Sequence, residues 1–144
     1  MGFRVETTDD PRVALDAAGD HLRSDPVGHN LLLSILHARL DRPVPGRYWW
    51  SLGGDGSVAG FALNTPPTFS AALSPCTGGA LEALVAAMAR DVPGLPGANG
   101  EAATSAAFAG QWAELLSVPV RPVEGQRLYR LGRLAPAPTP PGSL

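Results

Sequence analysis

The sequence predicts a mixed α/β domain of the α+β type, with a largely antiparallel sheet flanked by about four helices. Three observations predict it. The chain has 144 residues, with 44% apolar and 17% charged, which is the length and composition of one globular domain. Two Asp-Pro pairs, Asp10-Pro11 and Asp25-Pro26, open successive helical patterns near the N-terminus. An aromatic run, Tyr48-Trp49-Trp50, is followed by Gly53-Gly54-Asp55-Gly56, a strong hairpin signal.

Taken in order, Phe3 to Thr8 reads as a first strand, with Phe3, Val5 and Thr7 on one face. Asp10 can cap the next helix, and Pro11 suits its first position, where the missing N–H is not needed. That helix runs to about Arg23, with Val13, Leu15, Ala18 and Leu22 as expected buried positions. A second helix spans about Pro26 to Leu40, with Leu32, Leu36 and Leu40 on one face and Arg39 suiting the C-terminal dipole. Arg47 to Leu52, Ser57 to Leu63 and Phe69 to Leu73 make an antiparallel meander. Alternation sets Trp49 opposite Tyr48 and Trp50, which predicts one core face and one semi-exposed face.

A third helix covers about Ala80 to Arg90, striped by Leu81, Leu84, Val85 and Met88. A very short strand near Leu95 to Ala98 follows. A fourth helix runs from Glu101 to Ser117 with Phe108, Trp112, Leu115 and Leu116 on one face. Gln126 to Leu134 is the expected last strand. Residues 1–134 form the domain, and 135–144 form a proline-rich tail or linker.

Composition narrows the function. The net charge of −2 gives no electrostatic footprint for nucleic acid or an anionic membrane. All 11 basic residues are arginine, which excludes Schiff-base and P-loop lysines. The single cysteine, Cys76, excludes an internal disulfide and a four-cysteine zinc site. No apolar run approaches the ~18 residues of a membrane span. No signal pattern opens the chain, so a cytoplasmic protein is the expectation.

Few residues suggest chemistry. His21, His29 and His37 show no metal-ligand spacing, so no metal is expected. His29-Asn30, at the start of the second helix, either caps that helix or faces a cleft. Cys76 precedes a helix N-terminus, where a dipole lowers a thiol pKa, but no histidine lies near it in sequence. Trp49 and Tyr129 are candidate pocket residues beside Asn30, against the plainer reading of both as packing residues. No catalytic residue is assigned.

The order of elements resembles that of the GNAT acyltransferase superfamily, in the style of the N-terminal halves of bacterial proteins that carry two such units. The stretches that carry the resemblance begin with Asp25-Pro26-Val27-Gly28-His29-Asn30-Leu31-Leu32-Leu33 and Gly46-Arg47-Tyr48-Trp49-Trp50. They continue through Gly94-Leu95-Pro96-Gly97-Ala98-Asn99-Gly100 and Phe108-Ala109-Gly110-Gln111-Trp112 to Gln126-Arg127-Leu128-Tyr129-Arg130-Leu131. The resemblance covers residues 3 to 134. It implies a sheet whose fourth and fifth strands part to admit acetyl-CoA, and acyl transfer to a small amine.

The resemblance also implies a pyrophosphate-binding turn after the fourth strand, of the form Arg/Gln-x-x-Gly-x-Gly/Ala. Here that place is taken by Ser74-Pro75-Cys76-Thr77-Gly78-Gly79-Ala80. Cys76, Thr77, Gly78 and Gly79 are therefore the cofactor-binding candidates, by position in the turn. The turn lacks the opening arginine or glutamine, Pro75 removes one donor, and Phe69 to Leu73 offers no general-base carboxylate. The expectation is a cofactor-less half that supports a catalytic second unit and shapes one wall of an amine pocket. The alternative is a noncatalytic dimerising or ligand-sensing module on the same fold.

Overall fold

A computed structural model describes residues 2–142. Its elements are β1 (Arg4–Thr8), α1 (Pro11–Arg23), α2 (Asn30–Asp41), β2 (Arg47–Leu52), β3 (Val58–Asn64), β4 (Ala71–Leu73), α3 (Gly78–Asp91), β5 (Ala98–Asn99) and α4 (Ala102–Leu116). The fold is α+β. Five strands form one sheet in chain order, antiparallel from β1 to β4, with β5 added parallel to β4.

The start of α1 follows from its residues. Asp10 Oδ1 accepts the Arg12 N–H at 2.8 Å, and Pro11 occupies the first turn. Its buried stripe is Ala14, Ala18 and Leu22, with Gly19 beside it. Val13 sits one residue away, about 100° around the helix, and is 46% exposed, contrary to the sequence expectation. Small residues let the helix lie close to the sheet.

The second helix begins at Asn30, later than Pro26. Residues 26–29 form a turn in which Asp25 accepts from Gly28 N through Oδ1 and from His29 N through its carbonyl. His29 stands at the cap position without capping: its Nδ1 lies 2.9 Å from the Leu22 carbonyl. Leu32 and Leu36 are buried, and Leu40 is only half-buried.

The β2–β3 hairpin closes at Gly53–Ser57. Gly56 takes φ +81°, and Asp55 Oδ1 accepts from both the N–H and the hydroxyl of Ser57. Every residue from Tyr48 to Leu52 is buried, so the semi-exposed face expected for this strand does not exist. Helices cover both sides of the sheet. Tyr48, Trp50, Phe61 and Leu63 pack with Ala18, Leu22, Leu32 and Leu36 of α1 and α2. Trp49 and Ala62 pack on the opposite side with Leu81, Leu84, Val85 and Met88 of α3 and Phe108 and Trp112 of α4.

Two further expectations are corrected. Phe69 is not part of β4; it is 64% exposed and closes a turn onto the Pro66 carbonyl. Gln126 to Leu134 forms no strand, and residues 119–142 are exposed without regular structure. Gly132 falls inside the run, and its apolar residues Leu128, Tyr129, Leu131 and Leu134 do not alternate. The strand they would extend, β5, offers only two paired residues. Among the described residues no helix is long and apolar enough to cross a membrane.

Candidate functional site

β4 and β5 pair over a short stretch at the end of the sheet. Their pairing consists of Ala71 with Ala98 and Ala72 with Asn99. Beyond it the chain on the β4 side enters the turn Ser74-Pro75-Cys76-Thr77 and then α3. The Ser74 N–H donates to the Phe61 carbonyl and its hydroxyl accepts from the Phe61 N–H, both at 2.8 Å, so β3 holds the start of this turn.

Thr104, in the first turn of α4, holds the rest. Its Oγ1 accepts the Cys76 N–H at 3.1 Å and donates to the Cys76 carbonyl at 3.3 Å. One buried hydroxyl thus ties the β4–α3 turn to the first turn of α4. Nothing in the sequence signals this partnership, because the two residues are 28 apart and a threonine inside a helix has no distinctive spacing.

A cleft of about 430 Å³ lies at this point, lined by Phe3, Ala59, Pro75-Cys76-Thr77, Ala80, Glu101 and Thr104. Among the described residues Glu101 is its only charged lining residue. Gly78, at the start of α3, takes φ +58°, a left-handed conformation that glycine adopts without strain. The Phe3 ring rests on Gly79, where an added Cβ would come within 2.9 Å of it. Burial pushes the Cys76 thiol pKa up, against the weaker pull of the Thr77 N–H and the Ser51 hydroxyl. A protonated, buried thiol is not a nucleophile at neutral pH.

No family model matches this chain, and neither the curated proteins nor the solved structures yield a match.

The four turn residues Cys76, Thr77, Gly78 and Gly79 thus lie at one place, the start of α3. The other three candidates are not brought together. Asn30 is exposed at the start of α2, where its Oδ1 accepts from the Ser34 hydroxyl. Trp49 lies within the core on the α3 side, fully buried, and its Nε1 donates to Asp91 Oδ2 at 2.8 Å. Arg47 reaches the same carboxylate oxygen at 3.5 Å. Tyr129 is 78% exposed on the C-terminal segment. A second cleft, of about 390 Å³ between the β1–α1 turn and the end of α2, contains none of the candidates. Its Arg39 is fixed by bonds to the Thr65 hydroxyl and carbonyl.

The histidines form a pair rather than a metal site. The rings of His21 and His29 lie 5.4 Å apart, and among the described residues no group of three potential ligands converges. His21 Nε2 is buried without a hydrogen-bond partner. Burial first, and the His29 charge second, hold the His21 pKa below its ordinary 6.5. The folded protein therefore takes up this proton less readily than the unfolded chain. Stability from this site is complete above 6.5 and is lost as pH falls through that value toward the lower folded pKa. Thermal melts followed by circular dichroism are expected to show a midpoint that drops on mild acidification, and drops less in His21→Asn. Equal drops in both would refute the assignment.

Proposed function

We propose that this chain is a GNAT-like domain that holds no acyl-CoA of its own and supports a catalytic second unit, forming one wall of the pocket for its small amine substrate. The single observation that carries this reading is the pair of Thr104 bonds that tie the β4–α3 turn to the first turn of α4. An acyl-CoA seated there needs the strands to part and the turn's backbone N–H groups to face the pyrophosphate. Here the Cys76 N–H is engaged by Thr104.

The surroundings support the same reading. A helix N-terminus by itself favours an anion, but an acyl-CoA pyrophosphate also needs cationic or open donor partners. Among the described residues the cleft has no arginine and one charged residue, the acid Glu101, and the Phe3 ring lies against the first turn of α3. These residues do not fit the cofactor.

Isothermal titration of the full chain with acetyl-CoA tests the proposal. Only heat of dilution is expected. Micromolar binding would overturn it and favour an autonomous acetyltransferase. A noncatalytic dimerising module on the same fold is a second reading, favoured by the exposed apolar segment that follows α4.

A further inference from the structure

The second cleft, of about 390 Å³, falls within the size range of small-molecule sites, roughly 300–1,000 Å³. It lies at the opposite end of the sheet from the β4–α3 turn. Strands β1 and β3 run one way and β2 and β4 the other, so the end of β1, the start of β2 and the end of β3 meet there. The start of α1 and the last turn of α2 form its walls.

The lining carries two acids, Asp9 and Asp10, and two arginines, Arg12 and Arg39. Among the described residues every ion pair lies elsewhere, and none joins these acids to these arginines. Arg39 is nonetheless held in place. Its Nε donates to the Thr65 hydroxyl at 2.9 Å and its Nη2 to the Thr65 carbonyl at 3.4 Å, which leaves Nη1 without an acceptor among the described residues. Asp10 uses Oδ1 to cap the Arg12 N–H, and its second oxygen accepts no bond there.

A buried group points the same way. Tyr48 is fully buried, and its hydroxyl has no hydrogen-bond partner among the described residues. The nearby Thr65 hydroxyl is already engaged, by Arg39 Nε and by the Pro45 carbonyl. Burial first raises the Tyr48 pKa; the Thr65 hydroxyl and the Arg39 charge lower it, and the Asp10 charge raises it. The phenol therefore stands among Thr65, Arg39 and Asp10, behind the charged lining of the cleft. A buried donor left without an acceptor is costly, and a ligand can supply one.

We infer that this cleft binds a free α-amino acid with an apolar side chain. Its carboxylate takes the open Nη1 of Arg39 and supplies the acceptor that the Tyr48 hydroxyl lacks. Its ammonium group lies against Asp9 and Asp10. Pro11, Leu40 and Pro43 supply the apolar part of the lining. A zwitterion matches a cleft whose own charges, two acids and two arginines, cancel, whereas a lone anion would meet the two acids unscreened. The site is separate from the cleft at the β4–α3 turn and does not depend on the acyltransferase reading.

Isothermal titration of the full chain, at two temperatures, with L-valine, L-leucine, L-isoleucine and L-methionine tests it. Saturable binding of at least one is expected. Its N-acetyl and amide derivatives, each lacking one charge, are expected to bind at least about tenfold more weakly. Three variants probe the contacts. Asp10→Asn keeps a good N-cap and loses the charge. Arg39→Lys keeps the charge and loses the planar fork. Tyr48→Phe removes a hydroxyl that holds nothing in the free protein, so it is expected to melt no lower than wild type and yet bind more weakly. All three are expected to keep the wild-type circular dichroism spectrum. Absence of saturable heat with all four amino acids overturns the inference. So does equal binding of the derivatives, or wild-type affinity in all three variants.

Discussion

Replacing Trp49 by alanine is expected to lower the unfolding free energy by about 3–5 kcal/mol, the range for removing a large buried aromatic side chain. Trp49 is fully buried, pairs with Thr7 across β1 and with Ala62 across β3, and belongs to the core under α3 and α4. Its loss leaves a cavity between sheet and helices. It also frees Asp91, which retains only Arg47 and the more distant Arg90. Since whole domains are stable by only ~5–15 kcal/mol, the variant sits close to unfolding at room temperature. Trp49→Phe keeps most of the volume and loses the indole donor, so its cost should be nearer ~1.5–3 kcal/mol, as for a hydrogen bond to a charged group. Urea unfolding read by circular dichroism measures both. A Trp49→Ala midpoint equal to wild type would contradict the packing described here.

Gly60→Ala is the second large effect, and it works by crowding. A Cβ on Gly60 would lie 2.5 Å from Cys76 Sγ, 3.0 Å from Leu84 Cδ1 and 3.1 Å from Ser51 Oγ. Such overpacking in a filled core costs about 1–3 kcal/mol. The obstacle closest to the new methyl group is the sulfur. Cys76→Ala in the same chain therefore returns part of the loss, with a coupling of about 0.5–3 kcal/mol between neighbouring sites. A double variant whose destabilisation is the plain sum of the two single ones would show that the thiol does not set the limit at Gly60. The same pair explains why Cys76 sits where it does: it fills the space that a glycine in β3 leaves open.

The sequence made the elements legible because their signals are local. Asp10-Pro11 marks the start of α1, and the glycine cluster with Asp55 marks the hairpin. Burial of whole faces was less legible. Tyr48-Trp49-Trp50 is an unbroken aromatic run that puts apolar side chains on both faces, yet what covers each face depends on helices far away in the chain. The expected strand at Gln126 to Leu134 rests on residue types alone, whereas a strand needs a neighbour to pair with, and β5 presents two residues. Of the candidate site, the turn from Cys76 to Gly79 was visible from its glycines. Its lock, Thr104, and its cover, Phe3, were not, since both come from other elements and neither has a recognisable pattern.

The strand order, which repeats the chain order, bears on how the protein is made. Each strand pairs with the one synthesised just before it, so no strand waits for a partner from the far end of the chain. The layer under α1 and α2 draws all its core residues except Ala72 from the stretch that ends at Leu63. The layer under α3 and α4 takes nearly all of its residues from Ala71 onward. A chain leaving the ribosome N-terminus first can therefore close one side of its sheet before the other side exists. During that interval Trp49 and Ala62 face water, and the arrival of α3 ends their exposure.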